Sequence, residues 1–299
     1  MAGDWERPGM GGDWERPGMA GDWERPGPDG SAAGSGQATA AAAGTDGPGW
    51  ARGVRSVTVL TGAGVSTDSG IPDFRGPSGL WTRNPGAEKL STYRTYVSDP
   101  AVRRRSWQAR RDHPAWRAEP NAAHLALAEL ARSGIETLVI TQNIDGLHQK
   151  AGTPPERVVE LHGTMFSVVC VSCGDRSPMA AALARVEAGE EDPGCPGCGG
   201  ILKSATVMFG QALDPAVFAQ AERGAASCDL FLAVGSTLTV EPAASLCWHA
   251  RQAGAALVIV NRDPTPYDPL AVQVIRDPIG VAVPRITSQL IRWSGMERG

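Results

Sequence analysis

The chain has 299 residues, of which 42% are hydrophobic and 20% charged, and its net charge is −4 at pH 7. This length allows one large or two modest domains. The small negative charge argues against a nucleic-acid-binding protein, which usually carries a basic face. The sequence contains no run of about 18 apolar residues, so no transmembrane helix is predicted. The N-terminus lacks a basic-then-apolar signal peptide, so a cytoplasmic location is expected.

Residues 1 to about 50 differ in composition from the rest of the chain. The motif Gly-Asp-Trp-Glu-Arg-Pro-Gly occurs three times with a period of nine, and an Ala/Gly/Ser/Thr-rich stretch follows it as far as Gly49. Too little apolar periodicity is present for folding, so residues 1–50 are predicted to be a disordered tail. Its tryptophans could dock onto a partner, but a passive extension is the favoured interpretation.

The remainder, 51–299, alternates strands and helices and predicts an α/β fold with a Rossmann-like, doubly wound parallel sheet. Helices are predicted over Asn121–Ser133, which begins with a good N-cap, over Glu241–Ala253, and after Gly64. Short apolar runs predict five buried strands, at Val54–Leu60, Thr137–Thr141, Arg157–Leu161, Leu230–Val234 and Ala256–Val260.

A small polar cluster follows each predicted strand. In an open α/β sheet, ligands bind at the carboxyl ends of the strands, so the clusters together predict a dinucleotide crevice. The oxidoreductase pattern is absent, since Thr67 stands at the third glycine position, so NAD is predicted without hydride transfer. The clusters are Gly62-Ala63-Gly64, Gln142-Asn143-Ile144-Asp145, His162-Gly163, Gly235-Ser236-Thr237 and Asn261-Arg262-Asp263.

Two further stretches carry candidate chemistry. The segment Ile71-Pro72-Asp73-Phe74-Arg75 lies between Gly70 and Gly76, which suggests a lid hinged over a cofactor. Cys170, Cys173, Cys195 and Cys198 form two CxxC pairs separated by 21 residues, a spacing that predicts a structural, tetrahedral Zn²⁺. Cys228 and Cys247 stand alone in apolar contexts and are expected in the core.

His162 is the candidate general base among five histidines. It alone ends a predicted buried strand at the ligand edge, and the ordinary pKa of histidine suits proton abstraction near neutral pH. His124 and His249 lie in helical patterns, His113 lies in a polar stretch, and His148 is expected to pack the Asn143–Asp145 loop. From position alone, a structural role for His162 remains equally open.

Taken together, these motifs resemble the sirtuins, the NAD-dependent protein deacylases, in their bacterial form. The resemblance runs from about Val54 to Arg292 and includes Gly62–Ser66, Ser69–Arg75, Thr141–His148, Glu160–Gly163, the CxxC pairs and Val207–Gly210. Three departures exist. Gly235-Ser236-Thr237 replaces Gly-Thr-Ser, Lys203-Ser204-Ala205 stands where a proline is common, and Gln211 replaces a frequent glutamate.

The resemblance implies a layout and a set of partners. Rossmann-like parts are expected at about 51–81, 121–165 and 204–295, interrupted by a smaller module with a helical part at about 82–120 and a zinc ribbon at about 166–203. NAD and one structural Zn²⁺ are the implied cofactors, and acyl-lysine proteins are the implied substrates. We expect a monomer that binds neither membranes nor nucleic acids directly.

It also implies a reaction, NAD-dependent lysine deacylation. The acyl oxygen attacks the anomeric carbon of the nicotinamide ribose, nicotinamide leaves, and the acyl group ends on ADP-ribose. His162 would take a proton from a ribose hydroxyl, while Asn143 and Asp145 would orient the ribose. The implied NAD contacts are Gly62, Ala63, Gly64, Ser66, Ile71, Asp73, Phe74, Arg75, Trp81, Gln142, Asn143, Ile144, Asp145, Gly235, Ser236, Thr237, Asn261, Arg262, Asp263 and Ile279.

Four residues are implied on the acyl-lysine side. Val207 and Phe209 would line the acyl-lysine tunnel, with ordinary core packing as the alternative. Trp107 and Arg110 occupy the place of the Tyr-x-x-Arg pair that holds succinyl or malonyl carboxylates in some sirtuins, which suggests both acetyl and succinyl activity. The alternative is that Arg110 belongs to a solvated arginine face over Arg103–Arg111.

Two other functions compete with deacylation. A mono-ADP-ribosyltransferase would transfer labelled ADP-ribose to protein, and a sensor of NAD or nicotinamide would bind without turnover. Asp73 and Arg75 could also form only an internal salt bridge. Intact His162 and Asn143 argue against the sensor.

Overall fold

The computed structural model describes residues 48–74, 76, 79–83 and 92–296. The tryptophan repeats of the predicted tail and Arg75 lie outside these residues, as does the side chain of Trp81. No helix in the described part of the chain is both long enough and apolar enough to cross a lipid bilayer.

Nine strands form two sheets within the described residues. They are β1 (Ser56–Thr61), β2 (Glu136–Thr141), β3 (Val158–Glu160), β4 (Gly163–Cys170), β5 (Arg176–Pro178), β6 (Leu202–Thr206), β7 (Leu230–Val234), β8 (Ala256–Val260) and β9 (Gln273–Ile275). The larger sheet is entirely parallel with the order β3-β2-β1-β7-β8-β9. The five predicted strands are confirmed, and β9 is an addition.

The α-helices are α1 (Leu80–Arg83), α2 (Tyr93–Ser98), α3 (Pro100–Arg111), α4 (Ala122–Arg132), α5 (Leu147–Lys150), α6 (Met179–Glu187), α7 (Pro215–Ser227), α8 (Leu246–Gln252) and α9 (Ile279–Met296). The predicted helix that Asn121 caps is confirmed as α4. The helix expected after Gly64 is instead a 3-10 helix, Ala63–Ser69, and the one expected over Glu241–Ala253 is a 3-10 turn, Ala243–Ser245, followed by α8.

The parallel sheet has an apolar core on each face, because successive side chains of a strand point to opposite sides. On one face Val57, Val59 and Leu232 pack with Leu127 of α4 and Ile286 of α9. On the other face Leu60, Phe231 and Ile259 pack with residues of α7 and α8, and Cys228 and Cys247 lie in this second core as expected. The doubly wound architecture is therefore confirmed.

A smaller module joins the helical part to the zinc ribbon. Its antiparallel sheet has the order β5-β4-β6, and Trp107 of α3, Val168 of β4 and Met179 of α6 share one apolar cluster. Arg103 of α3, which is largely buried, also pairs with Asp192 at 2.7 Å. Helix α3 is thus tied to the ribbon by both apolar packing and an ion pair.

Candidate active site

The loops after β1 and β7 meet at the carboxyl edge of the sheet. The Gly64 amide donates to the Gly235 carbonyl at 2.9 Å, and the Gly62 amide donates to Val234 at 3.0 Å. A Cβ on Gly64 would lie 2.8 Å from the Gly235 backbone, so only glycine allows this contact. The amides of Gly62 and Gly64 are therefore engaged in backbone hydrogen bonds to the β7 edge. Ala63, the first residue of the 3-10 helix, keeps an amide that points out of that helix.

Asn143 and Asp145 meet the 3-10 helix through a single buried hydroxyl. Ser66 Oγ donates to Asp145 Oδ2 at 2.8 Å and accepts from Asn143 Nδ2 at 3.1 Å. Asp145 Oδ1 also accepts from the Leu147 amide at 3.0 Å, and Asn143 Nδ2 donates to the Gly62 carbonyl at 3.2 Å. The loops after β1 and β2 are therefore held in one network of hydrogen bonds.

The His162 ring is fixed by one backbone contact. Its Nδ1 lies 2.8 Å from the Gln142 carbonyl oxygen, and since a carbonyl only accepts, Nδ1 must carry the proton. Nε2 is then left with a lone pair on a half-buried ring. Burial lowers the pKa of His162 below its ordinary value, and the bond to the Gln142 carbonyl opposes this in part. The arrangement suits a neutral general base at pH 7.

The segment after β6 runs beside His162. The Val207 amide donates to the His162 carbonyl at 2.8 Å, and a Cβ on Gly163 would lie 2.1 Å from the Ala205 carbonyl oxygen, which explains the glycine after the histidine. Strand β6 ends at Thr206, and Phe209 makes an isolated β-bridge to Thr92.

The predicted lid segment is described except for Arg75. Asp73 Oδ1 accepts from the Gly76 amide at 2.8 Å, so this carboxylate closes the turn of its own loop. Phe74 is 43% exposed, and Ile71 is half-buried. An exposed ring of this size beside a polar site is consistent with a side chain that shields a ligand.

The loops after β7 and β8 hold further predicted contacts. Gln142 Nε2 donates to Ser236 Oγ at 3.0 Å, and Thr237 bonds Thr239 at 2.9 Å. Asn261 Nδ2 donates to the Asp263 carbonyl, and Arg262 pairs with the exposed Asp263 carboxylate at 3.0 Å. Ile279 is the half-buried first residue of α9.

Trp107 and Arg110 lie in the helical part, on the inner side of α3. Trp107 is 0% exposed, and its Nε1 has no hydrogen-bond partner among the residues that the structure describes. The Arg110 guanidinium lies 5.8 Å from the Trp107 ring centre and 5.5 Å from that of Tyr96. Burial lowers the Arg110 pKa. Arg110 is therefore not part of a solvated arginine face, and Arg103 is not either, since it is largely buried.

The four predicted cysteine ligands converge. All four sulfur atoms lie within 4.8 Å of one another, with Cys170 and Cys198 at 3.5 Å and Cys173 and Cys195 at 3.8 Å. A tetrahedron of thiolates with Zn–S bonds of about 2.3 Å has sulfur-to-sulfur edges of about 3.8 Å. The donor set and its spacing fit one Zn²⁺, and four thiolates leave no open position for catalysis.

Some residues near the site were missed by sequence reasoning. Arg276 donates to the carbonyls of Asn261 and Asp263 at 2.7 and 2.8 Å, and so fixes the loop after β8. Asn121 was seen only as a helix cap, yet its Nδ2 donates to Val65 and Ser69 of the 3-10 helix. Neither contact has a local sequence signal, because both join residues that are distant in the chain.

Known proteins are similar to this chain in sequence and in fold. The model of the Sir2 family matches residues 62–242. A relative from Streptomyces coelicolor, named NAD-dependent protein deacetylase 2, is 60% identical over 77% of this chain and 95% of its own length. A relative from Thermodesulfovibrio yellowstonii, named NAD-dependent protein deacetylase, is 41% identical over 74% of this chain and 85% of its own.

Solved structures agree with these relatives. A Sir2 structure with a p53 peptide and NAD⁺ is 32% identical, has a TM-score of 0.71, and covers 83% of this chain and 96% of its own. A Sir2 protein bound to an acetylated peptide is 31% identical with a TM-score of 0.70, covering 79% of this chain and 94% of its own. The family match, the identities and the shared fold agree, and the chain belongs to the Sir2 family, the sirtuins.

Proposed function

We propose that this protein is an NAD-dependent protein lysine deacetylase. The observation that carries the proposal is the orientation of His162, whose Nδ1–H is bound by the Gln142 carbonyl so that Nε2 is free to accept a proton. This base lies at the carboxyl edge of a parallel sheet, where α/β proteins bind dinucleotides. The curated relatives carry the same activity in their names.

When bound, NAD supplies an ADP-ribose that accepts the acyl group and a nicotinamide that leaves. His162 Nε2 would accept a proton from a ribose hydroxyl. Asn143 and Asp145, already fixed by Ser66, would orient the ribose. Phosphates would lie against the start of the 3-10 helix, at the outward-pointing Ala63 amide and Ser66, where Gly62, Gly64 and Gly235 leave room for close approach. The adenosine would be held by Ser236, Thr237, Asn261, Arg262, Asp263 and Ile279.

The same proposal covers the remaining predicted residues. Ile71, Asp73 and Phe74 would enclose the nicotinamide ribose, with Phe74 excluding water from the reacting carbon. Arg75 and the side chain of Trp81, the other NAD contacts that the resemblance implies here, lie outside the described residues. Gln142 and Ile144 would complete the NAD side, and Val207 and Phe209 would contact the acyl-lysine. Residues 51–299 would act as one catalytic domain.

The cellular setting is also a proposal. Six cysteines are free of disulfides in the described chain, and four of them converge as metal ligands. Thiols used in this way are typical of a reducing compartment, which supports a cytoplasmic enzyme. We propose that it acts as a monomer on acyl-lysine proteins.

An assay of the full chain tests the activity directly. Purified protein, NAD and an acetyl-lysine peptide should yield the deacetylated peptide, nicotinamide and acetylated ADP-ribose in equal amounts, measured by mass spectrometry. His162→Ala should abolish turnover while leaving the melting temperature and NAD binding nearly unchanged, because it removes a base rather than a core contact. Transfer of labelled ADP-ribose to protein, or substantial turnover by His162→Ala, would contradict the proposal.

A second acyl class is favoured by one observation. Within the described part of the chain the buried Nε1 of Trp107 has no partner, and the guanidinium of the half-buried Arg110 lies 5.8 Å from the same ring. The guanidinium of Arg110 is suited to bind a carboxylate through charge-assisted hydrogen bonds, whereas Trp107 is fully buried in the apolar cluster of Val168 and Met179. Removal of succinyl groups, in addition to acetyl groups, is therefore the second candidate activity.

A further inference from the structure

Two buried histidines lie beneath the Asn143 loop, and neither belongs to the catalytic set. His124, in the first turn of α4, is 0% exposed, and His148, in α5, is 1% exposed. Their ring centres are 5.0 Å apart with planes inclined by 58°. Each ring has one buried nitrogen without a hydrogen-bond partner among the described residues, Nε2 of His124 and Nδ1 of His148. Buried polar atoms without partners are rare, so this pair requires an explanation.

The hydrogen bonds on the other side of each ring determine where the protons are. The Asn121 amide donates to Nδ1 of His124 at 3.4 Å, so Nδ1 has the lone pair and the proton is on Nε2. The Thr61 hydroxyl donates to Thr141 Oγ1 at 2.8 Å, so its oxygen must accept from Nε2–H of His148, 3.0 Å away. In His148 the lone pair is therefore on Nδ1.

The two unpartnered nitrogens are thus one donor and one acceptor. Two imidazoles joined by an N–H···N bond of about 2.9 Å have ring centres roughly 5 Å apart, which is the separation observed. We propose that Nε2–H of His124 donates to Nδ1 of His148 after a small ring rotation, and that this bond completes a buried relay that positions Asn143. The kinetic part of this inference rests on the proposed function, in which Asn143 orients the ribose.

The relay has a defined end at each side. Thr141 Oγ1, which accepts from Thr61, also accepts from the Asn143 amide at 3.1 Å. At the other end, Asn121 Nδ2 donates to the Val65 carbonyl at 2.8 Å and to Ser69 Oγ at 2.9 Å, both in the 3-10 helix that is proposed to hold phosphates. The relay therefore joins the phosphate end of the NAD site to the loop of Asn143.

The pKa values of the two histidines are consistent with two neutral rings, each in a single tautomer. Burial lowers the pKa of His124 to about 4, which the Asp145 carboxylate opposes, and burial together with His124 lowers the pKa of His148 to about 3. Both rings are then neutral at pH 7. Asp145 is the charged group that faces His124, and its oxygens already accept from Ser66 and Leu147.

Nuclear magnetic resonance of the unmodified, ¹⁵N-histidine-labelled full chain at pH 7 tests the relay without any turnover. We expect His124 and His148 to be Nε2–H tautomers, in contrast to His162, which should be Nδ1–H. A coupling through the hydrogen bond should join Nε2 of His124 to Nδ1 of His148. The opposite tautomer in either ring, a protonated ring, or His124 donating to Asp145 with no such coupling would overturn the proposal.

His148→Gln and His148→Asn separate positioning from simple packing. Glutamine can place an N–H where His148 Nε2 donates to Thr61 but has no acceptor at the position of Nδ1, which would accept from His124. The kcat should therefore fall tenfold or more while the KM for NAD changes less than twofold. Asparagine can place an acceptor at the position of Nδ1 but has no donor at the position of Nε2. It should likewise lower kcat tenfold or more and change the KM for NAD less than twofold. Full kcat in a folded His148→Gln, or equal changes in kcat and KM, would refute a positioning role. An unmodified protein without any turnover would instead refute the proposed function and leave the tautomer result valid.

Discussion

At the scale of single residues, the direction of one hydrogen bond determines the chemistry of His162. Because the Gln142 carbonyl holds Nδ1–H, the ring presents a lone pair and not a proton to the site. If the fold placed a hydrogen-bond donor opposite Nδ1, the proton of the neutral ring would be on Nε2, and the same histidine would present an acid to the site. The sequence predicts His162 as the base, and the tautomer of its ring follows from the loop after β2, which the sequence does not predict.

The pH profile of the reaction should reflect the burial of this ring. Burial lowers the His162 pKa, so its base form persists to a lower pH than in an ordinary histidine with a pKa of about 6.5. Activity should be constant above that value and lost as the pH falls through the lowered pKa. The pH dependence of kcat/KM, which reports the free enzyme, measures this midpoint. A midpoint above 6.5 would contradict the assignment.

Arg110 should determine whether acidic acyl groups are accepted. Arg110→Met should lower succinyl-lysine turnover tenfold or more, since a charge-assisted hydrogen bond contributes roughly 1.5–3 kcal/mol, while acetyl-lysine turnover is spared. Initial rates on matched acetyl and succinyl peptides measure the difference. Arg111→Met is the matched control, because Arg111 is exposed and pairs with Asp112. Equal losses on both peptides, or no succinyl turnover by the unmodified protein, would reject this role.

At the scale of elements, the sequence predicts the strands that are long and apolar. It does not predict short strands or contacts between residues that are distant in the chain. β1, β2, β7 and β8 are long buried runs, and their predicted limits lie within two residues of those observed. β9 has only three residues and a mixed burial pattern, so it gives no periodic signal. The close contact between the glycines after β1 and the backbone of Gly235 also gives no sequence signal, because Gly235 is far away in the chain.

The zinc ribbon is an element whose stability should depend on its metal. Cys195→Ser should lower zinc content and melting temperature together, by roughly 10 °C or more, since a structural zinc contributes several kcal/mol. Metal analysis and thermal unfolding of the same sample test this. Ser172→Ala changes the same ribbon without removing a thiolate and should alter neither quantity. An unchanged melting temperature after zinc loss would show that the ribbon does not need the ion.

At the scale of the whole molecule, the folded unit begins earlier than the sequence indicated. The predicted tail extends to residue 50, but Trp50 packs against the core between the sheet and α9, and its Nε1 donates to Gln273 Oε1 at 2.6 Å. Ala51 is buried in the same core. The side chain of Trp50 thus connects the start of the domain, through its hydrogen bond to Gln273, to β9, the strand that the sequence does not predict.

Two deletions that differ by three residues test this boundary. Removing residues 1–47 should leave thermal stability and peptide deacetylation unchanged, because the repeats lack the apolar periodicity needed to bury surface. Removing residues 1–50 should lower the melting temperature by about 3–8 °C. The reason is that this longer deletion removes the packing of Trp50 and its hydrogen bond, which together contribute roughly 1–3 kcal/mol to the free energy of unfolding. Each kcal/mol shifts the melting temperature by about 2–4 °C in a domain of this size.

Differential scanning calorimetry of the two truncated chains and the full chain provides the comparison. Trp50→Ala in the full chain is the matched control and should reproduce most of the loss seen on removing residues 1–50, because the other residues between the two cuts have no large side chain. A large loss on removing only residues 1–47 would make the repeats part of the folded unit. Equal stability of all three chains would show that Trp50 does not fasten the domain.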